Sequence, residues 1–236
     1  MKLTVTEAFW SLFPEARIGI VIARGIDNTR GGAEAAALLA AEIDAAAAAL
    51  RGAEIASHPA VAPWREAYAQ FGAKPSKFRS SIESLLRSAQ SGRLRSINPL
   101  VDLYNAVSLR HQLPCGGEDL AAIVGDIQLT RARGGEPFRT IGAEQDDPPP
   151  PGEVIYADAA GAICRCFNWR EADRTKLTGA TTDALLVIET LAAHPPARLD
   201  AALGDLATLV TQHLGGAART AVLDRANPEL QIDGQS

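Results

Sequence analysis

The alternation of apolar and polar positions predicts one buried strand followed by several helices in the N-terminal half of the chain. A run rich in β-branched residues over positions 17–26 is typical of a buried strand. Ser80 and Glu83 have the spacing of a capping box, which marks the start of a helix. Together with two alanine-rich or amphipathic stretches, this predicts helices over residues 33–51, 61–71 and 80–88.

A fourth helix and a β-rich region are predicted from the middle of the chain. Leu100 and Tyr104 recur at helical spacing in an apolar run that Pro114 ends. The alternation that follows predicts strands, with Gly134-Gly135 as a hairpin turn. Because prolines cannot continue a β ladder, the proline-rich residues 144–152 predict a stiff loop.

The last third of the chain continues the mixed pattern. It predicts two strands around a turn at residues 158–161, a buried strand at 184–188 and a helix at 199–214. Helices that come first and strands that come later favour the α+β class. We therefore expect a single α+β domain over residues 1–226 and a frayed, flexible tail over residues 227–236.

Composition indicates a globular protein without a membrane segment. The 236 residues are 47% hydrophobic and 22% charged but only 5% aromatic, so the core must be mainly aliphatic. Acidic residues interrupt the long alanine-rich run, and the first ten residues lack the features of a signal peptide. We expect a cytoplasmic protein with no membrane partner.

The cysteines do not form a recognisable disulfide or metal-binding pattern. The three of them, Cys115, Cys164 and Cys166, make an odd number, and the four histidines have no spacing typical of metal ligands. We therefore expect reduced thiols, no metal and no cofactor. Whether Cys115 is reactive depends on its exposure and its pKa.

The charge is distributed unevenly along the chain. The formal net charge is −5, yet between residues 74 and 95 six basic side chains stand against one acid, Glu83. A basic segment on an acidic body can dock a polyanion at one place, although a solvated helix face with basic flanks is the alternative. Lys74, Lys77 and Arg79 lie at the start of this segment.

Known nucleotide-binding loops and nucleophile elbows are missing from the sequence, so an enzyme here would rely on positioned polar groups. Two polar clusters are candidates: Tyr104-Asn105 with residues 116–119, and residues 168–175. Each has a structural alternative. Asp119 is a possible helix cap, Arg170 and Glu171 a possible exposed ion pair, and Trp169 a possible lid on the core.

The order of several short motifs resembles a known family. VDLYN, LPCGGEDL, GDI, PGEVIYAD and a late LLVIE follow one another between about residues 97 and 189. This order is similar to that of the B3/4 domain in the β subunit of bacterial phenylalanyl-tRNA synthetase. KPSKFRSSIESLL and FNWREADRTK look like the freestanding members of that family, which consist of this domain without a synthetase.

The resemblance implies an α+β domain with a central, largely antiparallel sheet flanked by helices. In the synthetase this domain hydrolyses wrongly attached tyrosine, so freestanding relatives are candidate trans-editing factors. The family's pocket asparagine matches Asn105, and its late glutamate matches Glu189. Gly116 stands where the family has a pocket histidine, and FNWREADRT replaces a glycine-rich turn. The polar groups of that stretch are therefore expected to line a different pocket.

Three hypotheses follow: a deacylase that acts in trans on aminoacyl-tRNA, a non-catalytic RNA-binding module, and a small-molecule-binding protein that recognises a free amino acid or an analogue. The expected partner is tRNA or aminoacyl-tRNA, not DNA, and the oligomeric state is left open. The candidate catalytic residues are Asn105, Asn168, Arg170, Glu118 and Asp119; the candidate substrate contacts are Gly116, Gly117, Glu189, Trp169 and Arg174; and the candidate RNA contacts are Lys74, Lys77 and Arg79.

Overall fold

The computed structural model describes residues 1–233 and contains both helices and strands throughout. Its α-helices are Glu7–Trp10 (α1), Gly32–Ala49 (α2), Ala62–Gln70 (α3), Ser81–Gln90 (α4), Pro99–His111 (α5) and Pro196–Leu214 (α6). Its strands are Lys2–Val5 (β1), Arg17–Arg24 (β2), Cys115–Asp119 (β3), Ile127–Arg131 (β4), Val154–Asp158 (β5), Gly161–Arg165 (β6), Arg170–Glu171 (β7), Asp183–Thr190 (β8), Ala217–Leu223 (β9) and Glu229–Gln231 (β10).

The strands form two sheets. One has the order β10-β1-β4-β5-β6-β7, and the other has the order β3-β8-β2-β9. Every strand pair is antiparallel except β1 with β4, which are parallel. The predicted α+β class and the largely antiparallel pairing are confirmed, but the strands are divided between two sheets, whereas the family resemblance implied one central sheet. As a result, β3 and β7 are both edge strands.

The four-stranded sheet is covered on both faces. Successive residues of a strand face opposite sides of the sheet, so neighbouring residues belong to different apolar clusters. On one side, Ile20 and Val187 share an apolar cluster with Leu129 of the six-stranded sheet. On the other side, Val21 and Leu186 belong to a second cluster, which includes apolar residues of α5 and α6. The order of layers is therefore six-stranded sheet, four-stranded sheet, and helices α5 and α6, while α1, α3 and α4 contribute to the first cluster.

The helix boundaries follow the signals in the sequence. Ser80 caps α4, since its hydroxyl accepts a hydrogen bond from the Glu83 N–H at 3.3 Å. Asn98 caps α5 in the same way by accepting from the Val101 N–H at 3.1 Å. No helix within residues 1–233 is both long and apolar enough to cross a bilayer.

The predicted hairpin at Gly134-Gly135 is wrong. β4 ends at Arg131, and its antiparallel partner is β5, which begins only at Val154. Both glycines have positive φ angles, 100° and 87°. The turn is closed by the Glu136 carboxylate, which accepts the N–H groups of Arg133 and Gly134 at 2.6 and 3.0 Å. The glycine pair therefore makes a local turn, and the predicted proline-rich loop supplies the rest of the connection.

The predicted frayed tail is also wrong over most of its described part. Residues Glu229–Gln231 form β10, which pairs with β1 at the edge of the six-stranded sheet. Ile232 is 2% exposed, and the Asp233 carboxylate accepts from the N-terminal ammonium at 2.7 Å. The polar composition of this segment suits an edge strand, which needs only one partner. Residues 234–236, also part of the predicted tail, lie outside the described residues.

Candidate functional site

An open cavity of about 390 Å³ lies where the edge strands β3 and β7 of the two sheets approach each other. Residues of α4, α5, β5, β6 and β8 complete its wall. A hydrogen bond joins the two edges, because the Glu171 carboxylate of β7 accepts the Gly117 N–H of β3 at 2.9 Å. The cavity is thus built by long-range pairing of elements, not by one local motif.

Most of the residues predicted to form a site line this cavity. They are Asn105, Gly116, Gly117, Glu118, Asn168, Trp169, Arg170 and Glu189. The side-chain amide of Asn105 makes no hydrogen bond to any residue between 1 and 233, so it is free to bind a ligand. Their meeting in one place supports a site, while the role of each residue remains a prediction.

Asp119 and Arg174 do not line the cavity. The Asp119 carboxylate caps the 3₁₀ turn at Leu120–Ala122 by accepting the Ala121 N–H at 2.9 Å, and it also accepts the Thr181 hydroxyl at 2.7 Å. This is the helix-cap alternative. Arg174 pairs with the Asp158 carboxylate and donates to the Ala122 carbonyl at 3.0 Å. Both side chains are engaged in structural bonds outside the cavity, which favours structural roles over the predicted site roles.

Glu189 lines the cavity, is 3% exposed and lies in a network of neutral partners. Its Oε1 accepts the Tyr156 hydroxyl at 3.1 Å, and its Oε2 accepts the Asn168 amide at 3.5 Å. Asn168 in turn accepts the Tyr68 hydroxyl at 2.9 Å. Burial raises the pKa of Glu189 to about 8, and these hydrogen bonds only partly oppose the increase.

Glu171 occupies the space next to Gly116. A Cβ atom at position 116 would lie 2.5 Å from Oε1 of Glu171, closer than real atoms of this kind approach. Burial raises the pKa of Glu171 to about 7, while the hydrogen bond from Gly117 lowers it. In the sequence Glu171 lies in the second polar cluster, where an exposed ion pair with Arg170 was the alternative interpretation, but in the structure it lines the cavity.

Glu118 is the most isolated of the three carboxyl groups. The residue is 5% exposed, and its Oε2 has no hydrogen-bond partner within residues 1–233. Burial and the neighbouring Glu171 raise the pKa of Glu118 well above its usual range, and the Thr175 hydroxyl and Arg174 lower it to a smaller extent. The cavity therefore contains an uncompensated acid.

The tight turn between β6 and β7 sets the position of Asn168 and Trp169. Cys166 and Phe167 have φ angles of 46° and 66°, a left-handed conformation that is unfavourable for bulky residues. The Phe167 ring is fully buried and packs edge-on against Phe9 at 5.1 Å between ring centroids. Core packing therefore holds a strained turn, a combination found often at functional sites.

Aromatic and basic side chains connect the mouth of the cavity to the basic segment. The Trp169 ring packs edge-on against Phe78 at 4.7 Å, and the Arg170 guanidinium lies over the same indole at 5.5 Å. The Lys77 ammonium lies 4.9 Å from the centre of the Phe78 ring. This row places the basic residues before α4 next to the cavity mouth, although Lys74, Lys77 and Arg79 are not part of its wall.

The basic segment divides into free and engaged side chains. The buried Glu83 carboxylate binds Arg65 at 2.8 Å and Arg87 at 2.9 Å, and the Arg79 guanidinium lies 4.0 Å from it. Lys74 and Lys77 are exposed and form no ion pair with any residue from 1 to 233. Arg79 is thus partly committed to Glu83, whereas the two lysines are free.

Two of the three cysteines, Cys115 and Cys164, line the cavity, and all three are buried and free. Burial raises the pKa of the Cys115 and Cys164 thiols well above their usual range, so both stay protonated at neutral pH. This does not favour a cysteine nucleophile. Within the described part of the chain, no group of three His, Cys, Asp or Glu residues is placed to hold a metal ion.

Comparison with known proteins shows a family and a fold. Residues 63–214 match the sequence model of the B3/4 domain. The structure is similar to that of an N-terminal fragment of the phenylalanyl-tRNA synthetase β subunit from Pyrococcus horikoshii, with a TM-score of 0.50 and 12% identity over 92% of this chain. The chain spans 50% of that fragment. No curated protein matches the sequence.

Proposed function

This chain belongs to the B3/4 domain family, and from that premise we propose that it hydrolyses the ester bond of wrongly charged aminoacyl-tRNA. The observation that carries the proposal is the cavity between β3 and β7, which combines a free amide and buried carboxyl groups with a basic segment at its mouth. The similar solved structure belongs to a synthetase that acts on tRNA, which supports tRNA as the partner.

Ester hydrolysis needs a water molecule, an acceptor for its proton and donors for the carbonyl oxygen. Glu171 is the proposed acceptor, because a pKa of about 7 suits proton transfer at neutral pH. The water oxygen forms a bond to the carbonyl carbon as its proton passes to Glu171. The bond between that carbon and the ribose oxygen then breaks, and the ribose oxygen takes the proton from Glu171.

Asn105 and Arg170 are the proposed donors to the carbonyl oxygen as negative charge develops on it. The amide of Asn105 has no other hydrogen-bond partner within residues 1–233, and Arg170 is exposed at the cavity mouth without an ion pair in the same part of the chain. Preorganised donors of this kind supply much of the rate enhancement in acyl transfer. No protein nucleophile is needed, which agrees with the protonated state of the cavity thiols.

Lys74 and Lys77 are the proposed contacts to the tRNA backbone. They are exposed, and Lys77 packs on the Phe78 ring, which contacts the cavity residue Trp169. Phosphates bound by these lysines would lie beside the cavity mouth. The aminoacylated end of a tRNA could then reach the cavity while the phosphate backbone stays on the surface. Binding of this kind weakens steeply as the salt concentration rises.

The first experiment is a deacylation assay. The purified protein is incubated with a panel of correctly and wrongly charged tRNAs, and the loss of labelled amino acid is followed. We expect selective release from one wrongly charged species, with Glu171→Gln and Asn105→Ala slowing it at least about 100-fold. Both variants should still bind tRNA. Glu144→Gln, a change in an exposed loop, is the matched control and should leave the rate unchanged.

Two results would contradict the proposal in different ways. Salt-sensitive tRNA binding without any release would leave a non-catalytic RNA-binding module. Neither binding nor release would favour a second candidate, a binding protein for a free amino acid. The cavity itself supports that candidate, since about 390 Å³ lies within the usual size range of small-molecule sites. Calorimetry with free amino acids in the absence of tRNA tests it directly.

A further inference from the structure

Glu118 has one feature that the proposed hydrolysis does not use. It is a cavity residue, it is 5% exposed, and its Oε2 finds no hydrogen-bond donor among residues 1–233. A buried carboxyl oxygen without a partner is unfavourable, and native proteins rarely retain one without a reason. The buried Thr175 hydroxyl beside it can supply at most one neutral donor, so a donor group on a bound ligand would complete the bonding of this carboxyl group.

The surroundings of Glu118 favour a positively charged donor over a neutral one. Glu171 and Glu189 also line the cavity, and Arg170 is the single basic side chain in its wall within the described part of the chain. Arg170 is exposed at the mouth, and Arg174 is held by Asp158. The acidic groups inside the cavity thus have no basic partner there, and a bound cation would favour the ionised form of the carboxyl group it contacts.

We propose that Glu118 binds the ammonium group of the ligand, so that the cavity selects primary amines and rejects their N-acylated forms. An ammonium group offers three donors and a full charge to a carboxylate. Among residues 1–233 no three candidate ligands are arranged around a metal ion, whereas an ammonium needs only hydrogen-bond acceptors. The chemical class is a compound with a free amino group beside an ester or amide carbonyl.

The geometry of β3 agrees with this assignment. Residues two apart on a strand face the same side, so the Glu118 side chain shares a face with Gly116, whose open side meets Glu171. In an aminoacyl ester the α-nitrogen is about 2.5 Å from the carbonyl carbon. An ammonium group held by Glu118 therefore brings the carbonyl close to Glu171. The inference rests on the proposed function only for the ester group of the ligand. The ammonium site is argued from the structure alone.

Calorimetry with non-hydrolysable ligands tests the inference separately from catalysis. The probes are 3′-aminoacylamino-3′-deoxyadenosines with a panel of side chains, each prepared with a free and with an acetylated α-amino group. We expect the best free amine to bind at least about tenfold more tightly than its acetylated form, as for a hydrogen bond to a charged group. Glu118→Gln should bring the ratio close to one, and the control Glu144→Gln should keep it.

Folding of the variants is checked by circular dichroism, and Glu118→Asp, which keeps a carboxylate, should retain part of the preference. Equal binding of free and acetylated probes to the unmodified protein would overturn the inference and leave the hydrolysis proposal intact. Binding of neither probe would overturn it as well. In that case the deacylation assay with charged tRNA shows separately whether the proposed function has failed too.

Discussion

The Glu171 carboxylate can take its observed position only because residue 116 is a glycine and has no side chain. The Glu171 carboxylate lies where a Cβ atom would be, 2.5 Å away, and it accepts the Gly117 N–H at 2.9 Å. The sequence showed that a histidine expected from the family is replaced by glycine. It did not show that a carboxylate from another strand fills the space, because the contact joins residues 55 positions apart.

Gly116→Ala should push the Glu171 carboxylate away from β3. We expect a loss of about 1–3 kcal/mol in the free energy of unfolding, as for other overpacked sites, and a fall of at least about tenfold in deacylation. Urea unfolding and the release assay measure the two effects. Gly179→Ala is the control, since its Cβ would meet only Thr29 at 3.8 Å. If Glu171→Ala does not reduce the cost of Gly116→Ala, the clash is not its cause.

Glu189 predicts that stability decreases as pH rises. Burial and, to a smaller extent, the nearby Glu171 raise its pKa from 4.5 to about 8, while the hydrogen bonds from Tyr156 and Asn168 partly oppose the increase. Between these values the unfolded chain has lost this proton while the folded protein still holds it, so ionisation favours unfolding. The stability contribution is therefore complete below about pH 4.5 and is lost as pH rises through about 8.

We expect the free energy of unfolding to fall between pH 5 and 8, with a slope of up to about 1.4 kcal/mol per pH unit from each such group. Glu189→Gln should flatten part of this slope, because a neutral amide does not titrate. Urea unfolding at several pH values measures it, with the exposed Glu144→Gln as the control. Parallel curves for the unmodified protein and Glu189→Gln would show that Glu189 keeps an ordinary pKa.

Among the elements, the β6–β7 turn shows why a stretch as polar as NWRE follows a buried strand. Phe167 anchors the turn in the core, and the next residues then point into the cavity or its mouth. The sequence identified this segment as a polar cluster at residues 168–175. The positive φ angles of Cys166 and Phe167 could not be foreseen, because neither residue type favours them and only tertiary packing holds them.

Helices were more predictable than strands for a physical reason. α4 and α5 carry their own signals, with Ser80 and Asn98 as caps and a periodic apolar face. β3, with the sequence CGGED, and the two-residue β7 have none, since a strand is stabilised by partners that lie far away in the chain. The sequence therefore identified candidate residues by their chemistry. It did not show that they come together between the edges of two sheets.

We expect separate roles for the lysines that precede α4 and for the arginines of α3 and α4 that surround Glu83. Lys74 and Lys77 are exposed, whereas Arg65 and Arg87 hold the buried Glu83. Lys74→Ala with Lys77→Ala should weaken tRNA binding and reduce the slope of log affinity against log salt by about 1.4–1.8. The fold should stay unchanged. Gel-shift titrations over a range of salt concentrations measure this slope.

Arg87→Ala is the matched comparison for the lysine variant. It leaves the buried Glu83 with one fewer partner, so we expect a loss of stability and little change in the salt slope. Thermal unfolding and the same gel-shift titrations separate the two effects. An Arg87 variant that binds tRNA as weakly as the double lysine variant would mean that the arginines, and not the lysines, form the polyanion contact.

For the whole molecule, the arrangement of two sheets explains both the site and the errors of prediction. A cavity forms where an edge of each sheet comes free, at β3 and β7. The sequence indicated the α+β class through the order of its elements. It did not indicate that the strands divide between two sheets. Strands late in the sequence pair with strands much earlier in it, as β8 and β9 do with β2, and no local pattern reveals such pairs.

The C-terminal strand β10 completes the six-stranded sheet at the edge opposite β7, far from the cavity in strand order. Deleting residues 227–236 removes β10 and the buried Ile232, and it also breaks the contact of Asp233 with the N-terminal ammonium. Burial of one such aliphatic side chain contributes about 1.5–3 kcal/mol, so the melting temperature should fall by several degrees. Deacylation well below that temperature should be unchanged, because β3 and β7 keep their positions.

A deletion of residues 234–236 alone is the control. If the long deletion melts like the control, β10 contributes nothing to stability; if it loses activity while folded, the two edges of the sheet are coupled.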